Sequence, residues 1–172
     1  MFQSKDSNFN KVKSFHAVMD GDTQETPKVY DWQSALFRAG FKVEELVEFV
    51  HAASENEEMF NEGIAQLHKD LEKAAQKITK KRAAEVSLQN QVDALLDTLY
   101  FTYGSFVLMG VDPAPIFDLV HAANMGKRFP DGKAHFDPIT HKILKPDDWE
   151  EKFAPEKKIA EELYRQMKRL DT

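Results

Sequence analysis

The chain has 172 residues, 42% of them apolar, with a formal net charge of −6 and no cysteine. That length suits one globular domain with one sizeable core; the absence of cysteine excludes disulfides and thiolate metal sites, leaving oxygen and imidazole donors. The acidic balance lacks the basic footprint of a nucleic-acid binder, and neither the start MFQSKDSNFNKVKSF nor any later segment has the apolar run of a signal peptide or membrane span, so a cytoplasmic protein without membrane or nucleic-acid partners is expected.

Strand signals are nearly absent and apolar residues recur at helical spacing, so the class is all-α. A first helix is predicted over Asn8 to Met19, ended by Asp20-Gly21, with a polar loop from Asp22 to Pro27. A second begins near Asp31 and runs through Trp32, Ala35, Leu36 and Phe37 to a break expected at Gly40. An acidic helix follows from Val43 to Ala53, and Ser54 with Glu57 forms a capping box for the next. From Glu57 to about Lys77 the residues Phe60, Ile64, Leu67, Leu71, Ala74 and Ile78 step by four and three, an amphipathic stripe that suits packing on the core or on a second subunit. Lys77 to Arg82 is a short basic cluster.

The segment Gln91 to Gly110 is apolar almost all the way round, the pattern of a buried helix, yet it carries Asp93 and Asp97. Asp112-Pro113 then supplies an N-cap and first-turn proline for a helix reaching Met125, with Gly126 as C-cap. Residues 127 to 154 hold most of the remaining Pro, Gly and Asp and read as an ordered non-helical excursion. A last amphipathic helix presents Ile159, Leu163, Met167 and Leu170 on one face.

Two carboxylates in an apolar helix are costly unless a cation neutralises them. At about 100° per residue, Glu44 and Glu48 lie about 40° apart, Glu45 about 60° beyond Glu48, and Asp93 and Asp97 about 40° apart. Each helix thus carries an acidic notch in an apolar surface. An EExxE run by itself is most often a solvated helix face; the Asp pair, with no Lys or Arg between Arg82 and Lys127, weighs towards a divalent-metal site. Oxygen donors of this kind suit magnesium or manganese, which share their shell with substrate phosphates. Phosphoanhydride hydrolysis fits that chemistry. Glu44, Glu48, Asp97 and Asp93 are the expected ligands and Glu45 the expected base, while Asn124 and Lys127 are placed to meet a polyphosphate. Lys133 and Lys145 are weaker candidates for the same charge role.

These residues resemble the all-α nucleoside triphosphate pyrophosphatases, the superfamily of MazG, dimeric dUTPases and phosphoribosyl-ATP pyrophosphohydrolases. The resemblance is carried by Glu44 to Glu48 as EExxE, by D-x-L-Y-x-x-Y-G from Asp97 to Gly104, and by H-x-x-N-M-x-K from His121 to Lys127, and extends loosely from Phe15 to Trp149. It implies a four- to five-helix bundle with an extended C-terminal segment and terminal helix. It further implies magnesium-dependent cleavage of a nucleotide to its monophosphate and pyrophosphate, a nucleotide-pool house-cleaning activity, in a homodimer or dimer of dimers. The second motif departs from the family's ExxD, since position 94 is Ala and the extra acid is Asp93. The interval between the motifs is lengthened by the Glu57 to Lys77 helix, which either enlarges a subunit interface or covers the pocket. Base and sugar preference stay open.

Two other readings are weighed. Glu48-x-x-His51 with Asp118-x-x-His121 resembles the paired Glu-x-x-His of di-iron carboxylate bundles, with Asp118 departing from it. The acids could also all be exposed or salt-bridged, in a non-catalytic helical interaction protein.

Overall fold

The structure, a computed structural model, describes residues 4–21, 23–80 and 85–168. Arg82, Leu170 and Asp22, invoked above in a basic cluster, a helix face and a loop, lie outside them. Among the described residues there are seven α-helices and no strand: α1 Ser7–Met19, α2 Trp32–Ala52, α3 Glu57–Thr79, α4 Leu88–Met109, α5 Pro113–Met125, α6 Trp149–Phe153 and α7 Glu156–Lys168. The all-α class and the order of long helices, extended segment and terminal helix are those expected. Within the excursion an isolated antiparallel bridge joins Phe136 and Ile143. Among the described residues no single helix is long and apolar enough to cross a membrane.

The helix starts follow local chemistry. The Asp6 carboxylate accepts from the Asn8 and Phe9 N–H groups at 2.9 and 3.1 Å, and Asp31 accepts from the Ser34 N–H at 2.8 Å; each satisfies donors with no partner inside the helix. Asp112 caps α5 through the Ala114 N–H at 3.0 Å, with Pro113 in the first turn as expected.

Three expectations are corrected. The excursion over residues 127 to 154 is not wholly non-helical, because Trp149–Phe153 form the short helix α6. α2 runs unbroken through Gly40: a mid-helix glycine costs only about 0.5–1 kcal/mol, less than ending and restarting a helix that packs on a neighbour. α3 is capped by Asn56, whose side chain accepts from the Met59 N–H at 2.9 Å, not by Ser54. The Ser54 hydroxyl instead donates to the Val50 carbonyl at 2.8 Å and closes the end of α2.

The chain forms two compact units, Met1–Thr26 with Asp97–Thr172, and Pro27–Leu96. In the first, α5 packs on both α1 and α7. Its buried apolar residues are Met19, Ala123 and Trp149. The Gln166 side-chain amide holds the turn before α5, accepting from the Asp112 N–H at 2.8 Å and donating to the Asp112 carbonyl at 3.0 Å. In the second unit α3 packs on the end of α2, where His51 meets Phe60 and Val50 lies against Gly63. The Gln91 amide there uses the same device, accepting from the Tyr30 N–H at 2.9 Å and donating to its carbonyl at 3.0 Å, which ties the start of α4 to the segment before α2.

Candidate functional site

The EExxE carboxylates stand on the middle of α2. Glu44 and Glu48 are one turn apart, about 6 Å along the axis, and Glu44, Glu45 and Glu48 are all exposed. Asp93 and Asp97 repeat that spacing on α4 and are exposed too. The expected burial of α4 is not met within one chain: no residue of α4 is buried, and Tyr100, Phe101 and Leu108 are 77%, 73% and 90% exposed. The helix has the composition of an interior element, yet none of its residues is buried.

Glu45, Glu48, Asp93 and Asp97 form no ion pair among the described residues. Among those residues no three or more His, Asp or Glu side chains are grouped to hold a metal ion. The structure therefore shows two carboxylate pairs, each on one helix face and each able to offer two oxygen donors. Such an all-oxygen set fits a hard divalent cation.

Upstream of Glu44, the same helix has a shallow groove lined by Trp32, Gln33, Leu36, Phe37, Gly40, Phe41 and Glu44 itself. Phe37 and Phe41 meet edge to face with ring centroids 4.9 Å apart, and the Arg38 guanidinium lies 5.6 Å from the Phe41 ring centre. Trp32 is 75% exposed.

Asn124 and Lys127 occupy the end of α5 and the turn after it, both half-buried, with the Lys127 N–H donating to the Asn124 carbonyl at 3.1 Å. Two contacts fix this turn. The buried Trp149 indole N–H donates to the Ala123 carbonyl at 2.9 Å, and the Phe153 ring lies so close to Gly126 that a Cβ there would fall within 3.0 Å of it. Gly126 is right-handed, with φ −67°, so glycine is required by the ring and not by a left-handed cap. Trp149 and Phe153 are thus positioning residues for the Asn124–Lys127 turn. Only the loose extension of the resemblance to Trp149 hinted at them.

Several other candidates are engaged elsewhere. The Lys145 ammonium sits 3.9 Å from the Trp149 ring centre and 3.0 Å from a Glu150 carboxylate oxygen. In the would-be di-iron pattern, Asp118 is ion-paired with Lys11 and the His51 ring packs edge to face on Phe60 at 5.0 Å. His121 has its pKa lowered, first by partial burial and then by the Lys11 charge, with Asp118 opposing.

Comparison with known proteins identifies the family. The family profile of phosphoribosyl-ATP pyrophosphohydrolase matches residues 12–124. A solved structure of a proposed NTP pyrophosphohydrolase from Exiguobacterium sp. 255-15 superposes with a TM-score of 0.85 at 36% identity, covering 96% of this chain and 99% of that one. No curated protein matches. By the profile and by a relative of nearly equal length, the chain belongs to the phosphoribosyl-ATP pyrophosphohydrolase family, within the all-α NTP pyrophosphatases, and is a pyrophosphohydrolase.

Proposed function

We propose that this protein is a magnesium-dependent nucleoside triphosphate pyrophosphohydrolase, releasing the monophosphate and pyrophosphate from an NTP or dNTP. The observation that carries the reading is the pair of carboxylate notches, Glu44 with Glu48 on α2 and Asp93 with Asp97 on α4, in a chain of this family. Glu44, Glu48, Asp97 and Asp93 would hold the cation, and manganese suits the same oxygens. When bound, magnesium neutralises phosphate oxygens and lowers the pKa of water.

The chain's own residues supply the rest. Glu45, at the edge of the α2 notch, accepts the proton of the attacking water. The water oxygen forms a bond to the α-phosphorus, the bond to the α,β-bridging oxygen breaks, and pyrophosphate leaves with that electron pair. The Asn124 amide donates to the substrate and the Lys127 ammonium offsets its negative charge. The exposed apolar sides of α2 and α4 support an assembly with a second copy, because acids on bare helices would otherwise face only water. Nucleotide-pool house-cleaning is the role that a small pyrophosphohydrolase with this chemistry would fill.

The test is hydrolysis of a panel of standard, deoxy and modified triphosphates, dUTP and dCTP included, with pyrophosphate distinguished from orthophosphate. Pyrophosphate release that requires magnesium and falls at least about a hundredfold in Glu48→Gln and Asp97→Asn is expected, since acid–base and charge-stabilising groups each contribute on that order. Turnover of no nucleotide, or turnover indifferent to both substitutions, would sink the assignment.

A further inference from the structure

Helix α2 carries two cations that no carboxylate among the described residues neutralises. Arg38 and Lys42 stand one turn apart, about 6 Å along the axis, and both are half-buried. Arg38 lies against the Phe41 ring, and the Lys42 ammonium donates to the Arg38 carbonyl at 3.1 Å. Neither forms an ion pair among the described residues. Asp31, upstream on the same face, is engaged as a cap: its two carboxylate oxygens accept from the Ser34 N–H and hydroxyl, both at 2.8 Å. Like charges on adjacent turns repel. Burial first, and then the Arg38 charge, lower the Lys42 pKa, and no acid opposes them. The pair lacks an anion.

Its place on the helix says which anion. At about 100° per residue, Lys42 lies about 40° to one side of Arg38 and Glu45 about 20° to the other, so the three share a face about 60° wide. Glu44 and Glu48 lie further round, about 120° and 80° from Arg38. Of the EExxE acids, Glu45 is therefore the one in line with the cations. Along the axis Lys42 is about 4.5 Å from Glu45 and Arg38 about 10 Å. That row of carboxylate, ammonium and guanidinium has the order of a polyphosphate under attack: the α-phosphorus and its water lie beside the base, and the two departing phosphates lie beyond. A guanidinium forks onto two phosphate oxygens, and an ammonium with one donor engaged keeps two more. Negative charge grows on the bridging oxygen as its bond to the α-phosphorus breaks, and cations fixed at that end stabilise it.

We propose that Arg38 and Lys42 form the subsite that grips the departing pyrophosphate. The inference rests on the pyrophosphohydrolase reading above and deepens it, because it separates the groups that hold the leaving group from those that hold the cation.

Inorganic pyrophosphate with magnesium is the probe, since it is the product whichever base the substrate carries. Its binding to the full chain is measured by titration calorimetry, beside that of a nucleoside monophosphate. Arg38→Gln and Lys42→Gln, which keep most of each stem, should each weaken pyrophosphate at least about tenfold, the usual loss when a hydrogen bond to a charged group is removed. Monophosphate affinity should stay within about twofold, and Lys42→Arg should restore most of the pyrophosphate affinity. No pyrophosphate binding by the wild type, unchanged binding in both Gln variants, or equal losses for the two products would overturn the proposal. A changed sedimentation profile with pyrophosphate affinity intact would assign the cations to a carboxylate of another molecule and overturn it too. A second measurement needs no variant. Saturating magnesium pyrophosphate should slow acetylation of Lys42 in the wild type at least about tenfold, with exposed Lys157 as the reference; equal slowing at both lysines, or none at Lys42, would overturn the proposal. Nucleotide hydrolysis is followed in parallel: pyrophosphate binding that depends on Arg38 and Lys42 without hydrolysis rejects only the activity, and hydrolysis with pyrophosphate binding indifferent to them rejects only the subsite.

Discussion

At the scale of single residues, Gly126 shows how a glycine can be required for space alone. Its φ of −67° suits any residue, so sequence logic that places glycine at a helix end for left-handed backbone identifies the position for the wrong reason. What needs it is Phe153, from α6, whose ring occupies the volume a Cβ would take. Gly126→Ala should cost about 1–3 kcal/mol, the range for overpacking a well-filled site, read as a lower urea midpoint at unchanged slope. A loss below about 0.5 kcal/mol, the ordinary scatter of surface substitutions, would show that the ring moves aside freely. Contacts such as this and the Trp149 indole with the Ala123 carbonyl join residues 26 to 27 positions apart. No local pattern encodes them, which is why Glu44, Glu48, Asp97, Asn124 and Lys127 were legible as motif residues while the two side chains that steady the Asn124–Lys127 turn were not.

At the scale of elements, the helices were legible wherever local chemistry decides them. Asp112-Pro113 starts α5 as the sequence suggests, because a carboxylate acceptor and a residue without an N–H solve the same problem of unpaired donors. Gly40 was misread as a break because its intrinsic cost is small, whereas ending the helix there would forfeit hydrogen bonds on both sides and require a second costly nucleation. The position also makes a prediction of sign. A Cβ on Gly40 would meet nothing within 4 Å in the chain and the backbone is helical, so Gly40→Ala should stabilise α2 by about 0.5–1 kcal/mol through the unfolded state. Thermal and urea unfolding measure it. Destabilisation instead would mean that another surface approaches α2 at this position, where its groove of Trp32, Phe37 and Phe41 is open.

At the scale of the whole molecule, the burial pattern shows what one chain leaves undone. The unit Pro27–Leu96 contains no buried residue among those described, although α2 and the start of α4 carry Leu36, Leu46, Phe49, Leu95 and Leu96 at 44% exposure or more. Apolar burial is the main term opposing chain entropy, and a unit of this size without an interior has little to set against that cost. The acids of α4 looked anomalous in sequence because the helix was read as the core of one chain; its apolar surface is instead exposed and open to a neighbour. If that neighbour is a second copy, unfolding and dissociation are one event, and the midpoint must depend on concentration. For a dimer, each tenfold dilution removes about 1.4 kcal/mol per mole of dimer, half of it per chain, and with the unfolding entropy of a chain this long the midpoint should fall by about 1–3 °C. Scanning calorimetry over two decades of protein concentration measures it, at a scan rate low enough for reversibility. A midpoint that does not move would mean that each chain completes its own core, and it would remove the physical ground for association through α2, α3 and α4 together.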